Sequence, residues 1–204
     1  MASAISRLAI LATAPIVACA SLALAPTAHA VGAGQGDSAP GQAIVRDGLS
    51  AATAAASCWD IKQRNPEAAD GAYWLQTPAM DHPAQFFCDQ TTDGGGWVMI
   101  GRGPEGWESW RGGKGDPAKL TSRSRTSDDF EVAQLSNKAV TELLNNEPVK
   151  DQADGVRVMR SWSASGRSYQ TMDLQFPKMT DFVWPFKMAH PVNVQLDKGG
   201  WRSG

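Results

Sequence analysis

Residues 86–102, "FFCDQTTDGGGWVMIGR", set three consecutive glycines between two apolar runs, with Cys88 ahead of them and Trp97 directly behind. A phosphate loop, a metal knuckle and a turn beside a disulfide would each use some of these residues. A P-loop needs a glycine five residues before a Gly-Lys pair, and Ser or Thr after the lysine. Around Gly113-Lys114 the first place is Glu108 and the last is Gly115, so that reading fails. The triple glycine also lacks dinucleotide spacing and opens a strand-like run instead of a helix. A four-ligand zinc site needs paired ligands, and no C-x-x-C or H-x-x-x-H pair occurs; His82 and His190 stand far apart. A turn remains. Asp93 and Gly94 both tolerate positive φ, a hairpin signal. Gly95 and Gly96 permit a bulge and close backbone approach, and Trp97 covers the turn from the far strand.

The flanking text fits this turn. In "SCWDIKQRNP", Ser57 can cap a helix, Asp60 suits its positive end, and Pro66 forces a stop. "DGAYWLQT" and "AQFFCDQT" read as strands, with Phe86 and Cys88 on one face and Phe87 and Asp89 on the other. "WVMIGR" is a further strand.

The first thirty residues have the layout of a secretory signal: Arg7, an apolar run from Leu8 to Ala25, and "AHA" before a cleavage point after Ala30. A membrane helix is the alternative, interrupted by Pro15. "IVAC" offers a second one, lipoprotein anchoring at Cys19, but Leu22 and Leu24 prolong the apolar run where a polar tether belongs. Cleavage removes Arg7 and no acid, which leaves 18 basic against 21 acidic side chains and a net charge of −3. That balance argues against a nucleic-acid partner, and no membrane span is expected after cleavage. Cys58 and Cys88 then remain, and an oxidising compartment favours one disulfide between them.

Residues 31–57 are rich in Gly, Ala and Ser and read as a mobile linker, so the domain is expected to start at Cys58 and run to residue 204. Residues 103–125 form a long loop of Gly, Pro, Ser and charge that carries Trp107 and Trp110. Val132, Leu135, Ala139, Val140, Leu143 and Leu144 recur at helical spacing, with a cap at Ser136 and an end near Pro148. "GVRVMRSW" and "SYQTMDLQF" flank "SASGR" as a hairpin. Met172, Leu174 and Phe176 form its buried face, and Asp173 lies on the other. "DFVWPFKM" and "PVNVQL" read as strand broken at Pro185 and Pro191. The predicted class is α+β: short helices with mostly antiparallel sheet.

Cys58, "GAY" (Gly71 to Tyr73), Cys88 and Asp89, "DGGGW" (Asp93, Gly94, Gly95, Gly96, Trp97), Ile100 and Arg102 together resemble the N-terminal half of the fibrinogen-like domain. The resemblance implies a disulfide joining a short helix to a strand, followed by the D-G-G-G-W hairpin. "GWESW" resembles the family's aromatic pair, and "LSNKAVTELL" its central helix. Past Gly155 the likeness fades. The family's C-terminal third carries an acidic calcium loop, a second disulfide and an aromatic ligand pocket. Here no cysteine follows Cys88 and no D-x-D occurs, so the resemblance implies the scaffold without that pocket. A divergent, bacterial-type secreted member or a piece of a longer chain both fit this pattern.

No G-x-S-x-G or H-E-x-x-H motif is present, and no cofactor is expected. "DQADG" (Asp151 to Gly155) spaces its acids wrongly for a calcium loop, and no metal site is expected. The leading functional expectation is a secreted, non-enzymatic recognition module for glycans or surface polymers. Eight tryptophans motivate it, three of them (Trp107, Trp110 and Trp201) in glycine-rich loops. In "GWESWR", Trp107 and Trp110 would supply flat apolar faces, while Glu108 and Arg111 orient a sugar. The alternatives are a structural domain for protein–protein assembly and a secreted hydrolase.

Overall fold

The computed structural model describes residues 7–10, 45–103, 120–121, 133–161, 169–184 and 191–203. Strand β1 is Arg7–Ile10. Helix α1, Cys58–Arg64, starts where the Ser57 hydroxyl accepts the Asp60 amide at 3.0 Å. Asp60 lies in its first turn, Lys62 and Arg64 in its last, so the charges oppose the helix dipole. The helix stops at Asn65, whose extended backbone suits the residue before a proline. Strands β2 (Gly71–Leu75), β3 (Ala84–Asp89) and β4 (Trp97–Arg102) follow as antiparallel neighbours. Short β5 (Ala133–Gln134) pairs with the end of β4. Helix α2 is Asn137–Leu143. Strands β6 (Val156–Ser161), β7 (Tyr169–Gln175), β8 (Asn193–Leu196) and β9 (Arg202–Ser203) make the second antiparallel group. Strand β1 runs parallel between β4 and β6 and joins the two groups into one sheet. The α+β class predicted from sequence is the one observed.

The disulfide joins Cys58, the first residue of α1, to Cys88 in β3, with the Cα atoms 5.5 Å apart. Beside it, Gln90 ties three pieces together. Its Nε2 donates to the Cys58 carbonyl at 3.1 Å, and its Oε1 accepts the Gly96 amide at 3.1 Å. Asp89 turns the chain by accepting the amides of Thr91 (3.1 Å) and Thr92 (2.8 Å) on Oδ1. The connection between the paired residues Asp89 and Trp97 is therefore longer than a two-residue hairpin, with one 3-10 turn over Thr92–Gly94. Asp93 and Gly94 still take the expected positive φ, 48° and 84°. A Cβ on Gly95 would lie 2.2 Å from the Gln90 carbonyl oxygen, and one on Gly96 would lie 2.9 Å from the Trp59 Cα. Both glycines let backbone come close, as read from the sequence.

Several expectations are corrected. Residues 45–57 are not a free linker: the Trp74 amide donates to the Gly48 carbonyl at 2.7 Å, and Ala55 bridges Leu75. Backbone bonds to β2 stand in for the large apolar groups this segment lacks, and the residues buried there are small: Gly48, Ala54, Ala55 and Ser57. Phe86, Phe87, Cys88 and Asp89 are all buried, so from Phe86 onward β3 has no solvent face, although Gln85 at its start is exposed. All of β4, including Arg102, is buried as well. The Ser136 cap stands as read, its hydroxyl accepting the Ala139 amide at 3.1 Å, and Leu135 lies just before it, after β5. Asp181–Trp184 is not strand. There Trp184 is buried, with its Nε1 donating to the Leu135 carbonyl at 2.7 Å, and Phe182 meets its ring edge-on at 5.2 Å. These aromatics, with Leu120, Val140, Leu143, Phe176 and Met179, belong to the same buried core as the β3 and β4 side chains.

Candidate functional site

Arg157 stands opposite Asp173 in the β6–β7 ladder. The sequence reading put Asp173 on the outer face of β7, yet both side chains are less than a tenth exposed. Each charge is buried because the other neutralises it: Arg157 Nε donates to Asp173 Oδ1 at 2.7 Å and Nη2 to Oδ2 at 3.2 Å, a bidentate pair. The third guanidinium nitrogen, Nη1, donates to Asp93 Oδ2 at 2.7 Å. The guanidinium carbon lies 4.0 Å from the Trp97 ring centroid, a cation–π stack. Asp93 Oδ1 accepts the Lys198 ammonium. Burial alone would raise the Asp93 pKa, but Lys198 and Arg157 together outweigh it and hold the carboxyl below its ordinary value of 3.8.

These groups form one side of an open cavity of about 570 Å³. Its wall includes Asp93, Trp97, Arg157, Asp173, Lys198 and Trp201, with Ala153, Asp154, Gln175 and Gln195 completing it. Three elements converge on it: the glycine turn, the β6–β7 ladder and the turn after β8. That last turn is set by Asp197 and Lys198, both at positive φ (43° and 61°). The Asp197 carboxylate accepts the Thr171 amide at 2.8 Å and so anchors the turn to β7. Trp201 stands at the rim with 43% of its surface exposed.

Of the residues read from sequence, Asp93 and Trp97 reach this cavity, as does Trp201. Gly94, Gly95, Gly96 and Asp89 shape the turn that presents Asp93. Gly71 lies at the start of β2, and Tyr73 donates its hydroxyl to the Ala69 carbonyl at 2.7 Å, as structural positions away from the cavity. Trp107, Glu108, Trp110 and Arg111 lie outside the described residues. Asp154 was read only as one of the acids misplaced for a calcium loop, and Arg157, Gln175, Gln195 and Lys198 carried no motif. A signal for Arg157 existed: a basic residue inside an apolar strand, placed opposite an acid once the hairpin register is drawn. Among the described residues no three His, Cys, Asp or Glu side chains are grouped to hold a metal ion. None of the described helices is long and apolar enough to cross a membrane.

No family model matches the chain. The chain is similar to mouse (Mus musculus) angiopoietin-4, at 27% identity over 149 residues that cover 57% of this chain. It is 38% identical over 65 residues to human (Homo sapiens) tenascin-N, covering 28% of this chain, and 35% identical over 68 residues to human angiopoietin-4, covering 30%. It spans 28% of the mouse angiopoietin, 13% of the human one and 5% of tenascin-N. All three are mammalian, and nothing in them supports the bacterial-type reading. The matches to angiopoietin-4 and tenascin-N, with the Cys58–Cys88 bridge and the Asp93–Trp97 turn in place, support a fibrinogen-like domain in this chain.

Proposed function

We propose that the protein is an exported, non-enzymatic recognition module whose cavity between Trp97 and Trp201 binds a glycan or a surface polymer. The observation that carries the reading is Trp201, a large aromatic left 43% exposed at the rim of a cavity walled by carboxylates, amides and a lysine. A flat apolar face beside convergent polar groups suits a sugar ring, which has one apolar face and a rim of hydroxyls. Asp93 does not fit an acid catalyst, since it is ionised at neutral pH and both its oxygens are engaged by cations. Trp107, Glu108, Trp110 and Arg111 extend the same proposal to the loop that carries them.

Export rests on the leader reading of residues 1–30, with the mature chain starting at Val31; Edman sequencing of secreted protein that begins elsewhere would overturn it. A second reading, a protein partner, is favoured by the exposure of Trp201 itself, a large aromatic of the kind that anchors protein interfaces. A glycan array separates the two. Trp201→Ala should change stability by less than about 0.5 kcal/mol, because the ring is half in solvent. The same change should abolish array binding. Unchanged binding to every glycan that the parent protein recognises would remove the cavity from the proposal.

A further inference from the structure

The wall of the cavity has spent its donors and kept its acceptors. All three guanidinium nitrogens of Arg157 already donate inside the protein, to Asp173 and Asp93. Gln175 donates its amide nitrogen to the Ala153 carbonyl at 2.9 Å, and Gln195 donates its own to the Gly199 carbonyl at 2.5 Å. With the nitrogens so directed, the amide oxygens are the groups turned to other uses, and they accept. Asp93, Asp154 and Asp173 add carboxylates, which when ionised only accept. A ligand for such a wall has to bring the N–H and O–H donors itself.

The charges select the kind of donor. Three carboxylates meet two cations on this wall, Arg157 and Lys198. Arg157 is buried and held by Asp173 and Asp93 together. Lys198 differs: it pairs with Asp93 while its side chain stays 67% exposed. An ion pair with one partner mostly in water is worth little, so Lys198 can leave for solvent at small cost. Asp93 then needs another cation. Trp201 adds an exposed aromatic face to the same cavity, and such a face attracts an ammonium group. An anionic ligand meets the reverse, with three acids repelling it and only the exchangeable Lys198 left to attract it.

Resting on the glycan reading above, we infer that the ligand is an amino sugar with a free, protonated amine, whose ammonium replaces Lys198 on Asp93. Lys198 is the cavity's own occupant, which keeps Asp93 paired until the sugar arrives. The sugar hydroxyls donate to the oxygens of Gln175 and Gln195, and the ring's apolar face lies on Trp201. N-acetylation removes the charge and puts an acceptor carbonyl where donors are wanted, so the acetylated sugar fits this wall less well.

The test is calorimetric titration of the full chain, at physiological salt, with three hexasaccharides of one linkage built from glucosamine, N-acetylglucosamine or glucose. The glucosamine hexamer should bind more tightly than either of the others by about tenfold or more. Lys198→Gln removes the internal competitor at an exposed position and should tighten glucosamine binding by about threefold or more. Trp201→Ala changes no charge and should weaken that binding by about tenfold or more. Equal or tighter binding of the acetylated or glucose hexamer would overturn the amine and leave the glycan reading in place. If none of the three binds, the amino sugar is overturned, while the glycan array still decides the broader reading. Unchanged affinity in Trp201→Ala would reduce the effect to attraction by the chain's net negative charge, and weaker binding by Lys198→Gln would remove the exchange; either overturns it. A lysine hexapeptide bound as tightly as the glucosamine hexamer would also overturn it, in favour of a protein's amines.

Discussion

The region from Ser57 to Arg102 and the region from Val156 to Ser203 are both small antiparallel sheets, but they are held together differently. In the first, the decisive contacts join residues close in sequence: Cys58 to Cys88, Gln90 to Cys58, and Gln90 to Gly96. In the second they reach across the chain: Arg157 to Asp93 over 64 residues, Lys198 to Asp93 over 105, and Trp184 to Leu135 over 49. A region closed by near contacts leaves a compact signature in the sequence. One closed by distant contacts leaves single charged or aromatic residues whose meaning depends on partners elsewhere.

The sharpest way to break that contrast is at Arg157. Arg157→Met should cost about 3–5 kcal/mol in urea unfolding, because it leaves Asp173 charged and buried. Arg157→Met with Asp173→Leu should recover much of that loss, since the stranded charge is gone. A double variant no more stable than the single one would show that the pair's worth lies elsewhere. In the first region, replacing both Cys58 and Cys88 by serine should cost about 3–4 kcal/mol through the freed 30-residue separation. This change should leave the hairpin of the second region protected in hydrogen exchange longer than β2 and β3. Uniform loss of protection would mean that the two regions unfold as one.

Smaller effects follow at the ties between the halves. Trp184→Phe keeps an aromatic ring but leaves the buried Leu135 carbonyl without the indole donor, a cost of about 1–3 kcal/mol by thermal unfolding. The smallest effect is at Asp93. Its pKa is lowered in the folded state, so its stabilising contribution is complete above the ordinary value of 3.8. That contribution is lost as pH falls through the lower, folded value. Asp93→Asn tolerates the same positive φ and should flatten the acid side of the stability curve below pH 3.8, leaving its shape near neutrality unchanged. An acid limb identical in both proteins would remove Asp93 from the link between the regions.

Much of the first region was legible because its signals are local. Ser57 caps α1, Pro66 ends it, the two cysteines pair, and Asp93 and Gly94 take the left-handed conformations that their residue types permit. The docking of residues 45–57 was not legible, because backbone bonds to Gly48 and Ala55 depend on no side-chain pattern. Nor was the burial of Asp173, since strand alternation assigns a carboxylate to solvent unless its counter-ion is known. The cavity was legible only in part. Trp201 stood out by its glycine-rich surroundings, while Lys198 was an ordinary charge until a turn brought it to Asp93.

The sequence by itself determined the class, the disulfide, the first region's order of helix and strands, and the glycine turn, because each follows from constraints within a few residues or from a cysteine pair. Only the tertiary structure decided that the turn faces the β6–β7 ladder, that Arg157 is shared between Asp173 and Asp93, and that Trp201 overlooks the same cavity. It also decided that residues 7–10 lie between β4 and β6. Apart from the Arg157–Asp173 pair, which the hairpin brings together, those arrangements depend on partners far away in the chain, such as Asp93 64 residues from Arg157 and 105 from Lys198, and no local pattern encodes where such partners will meet.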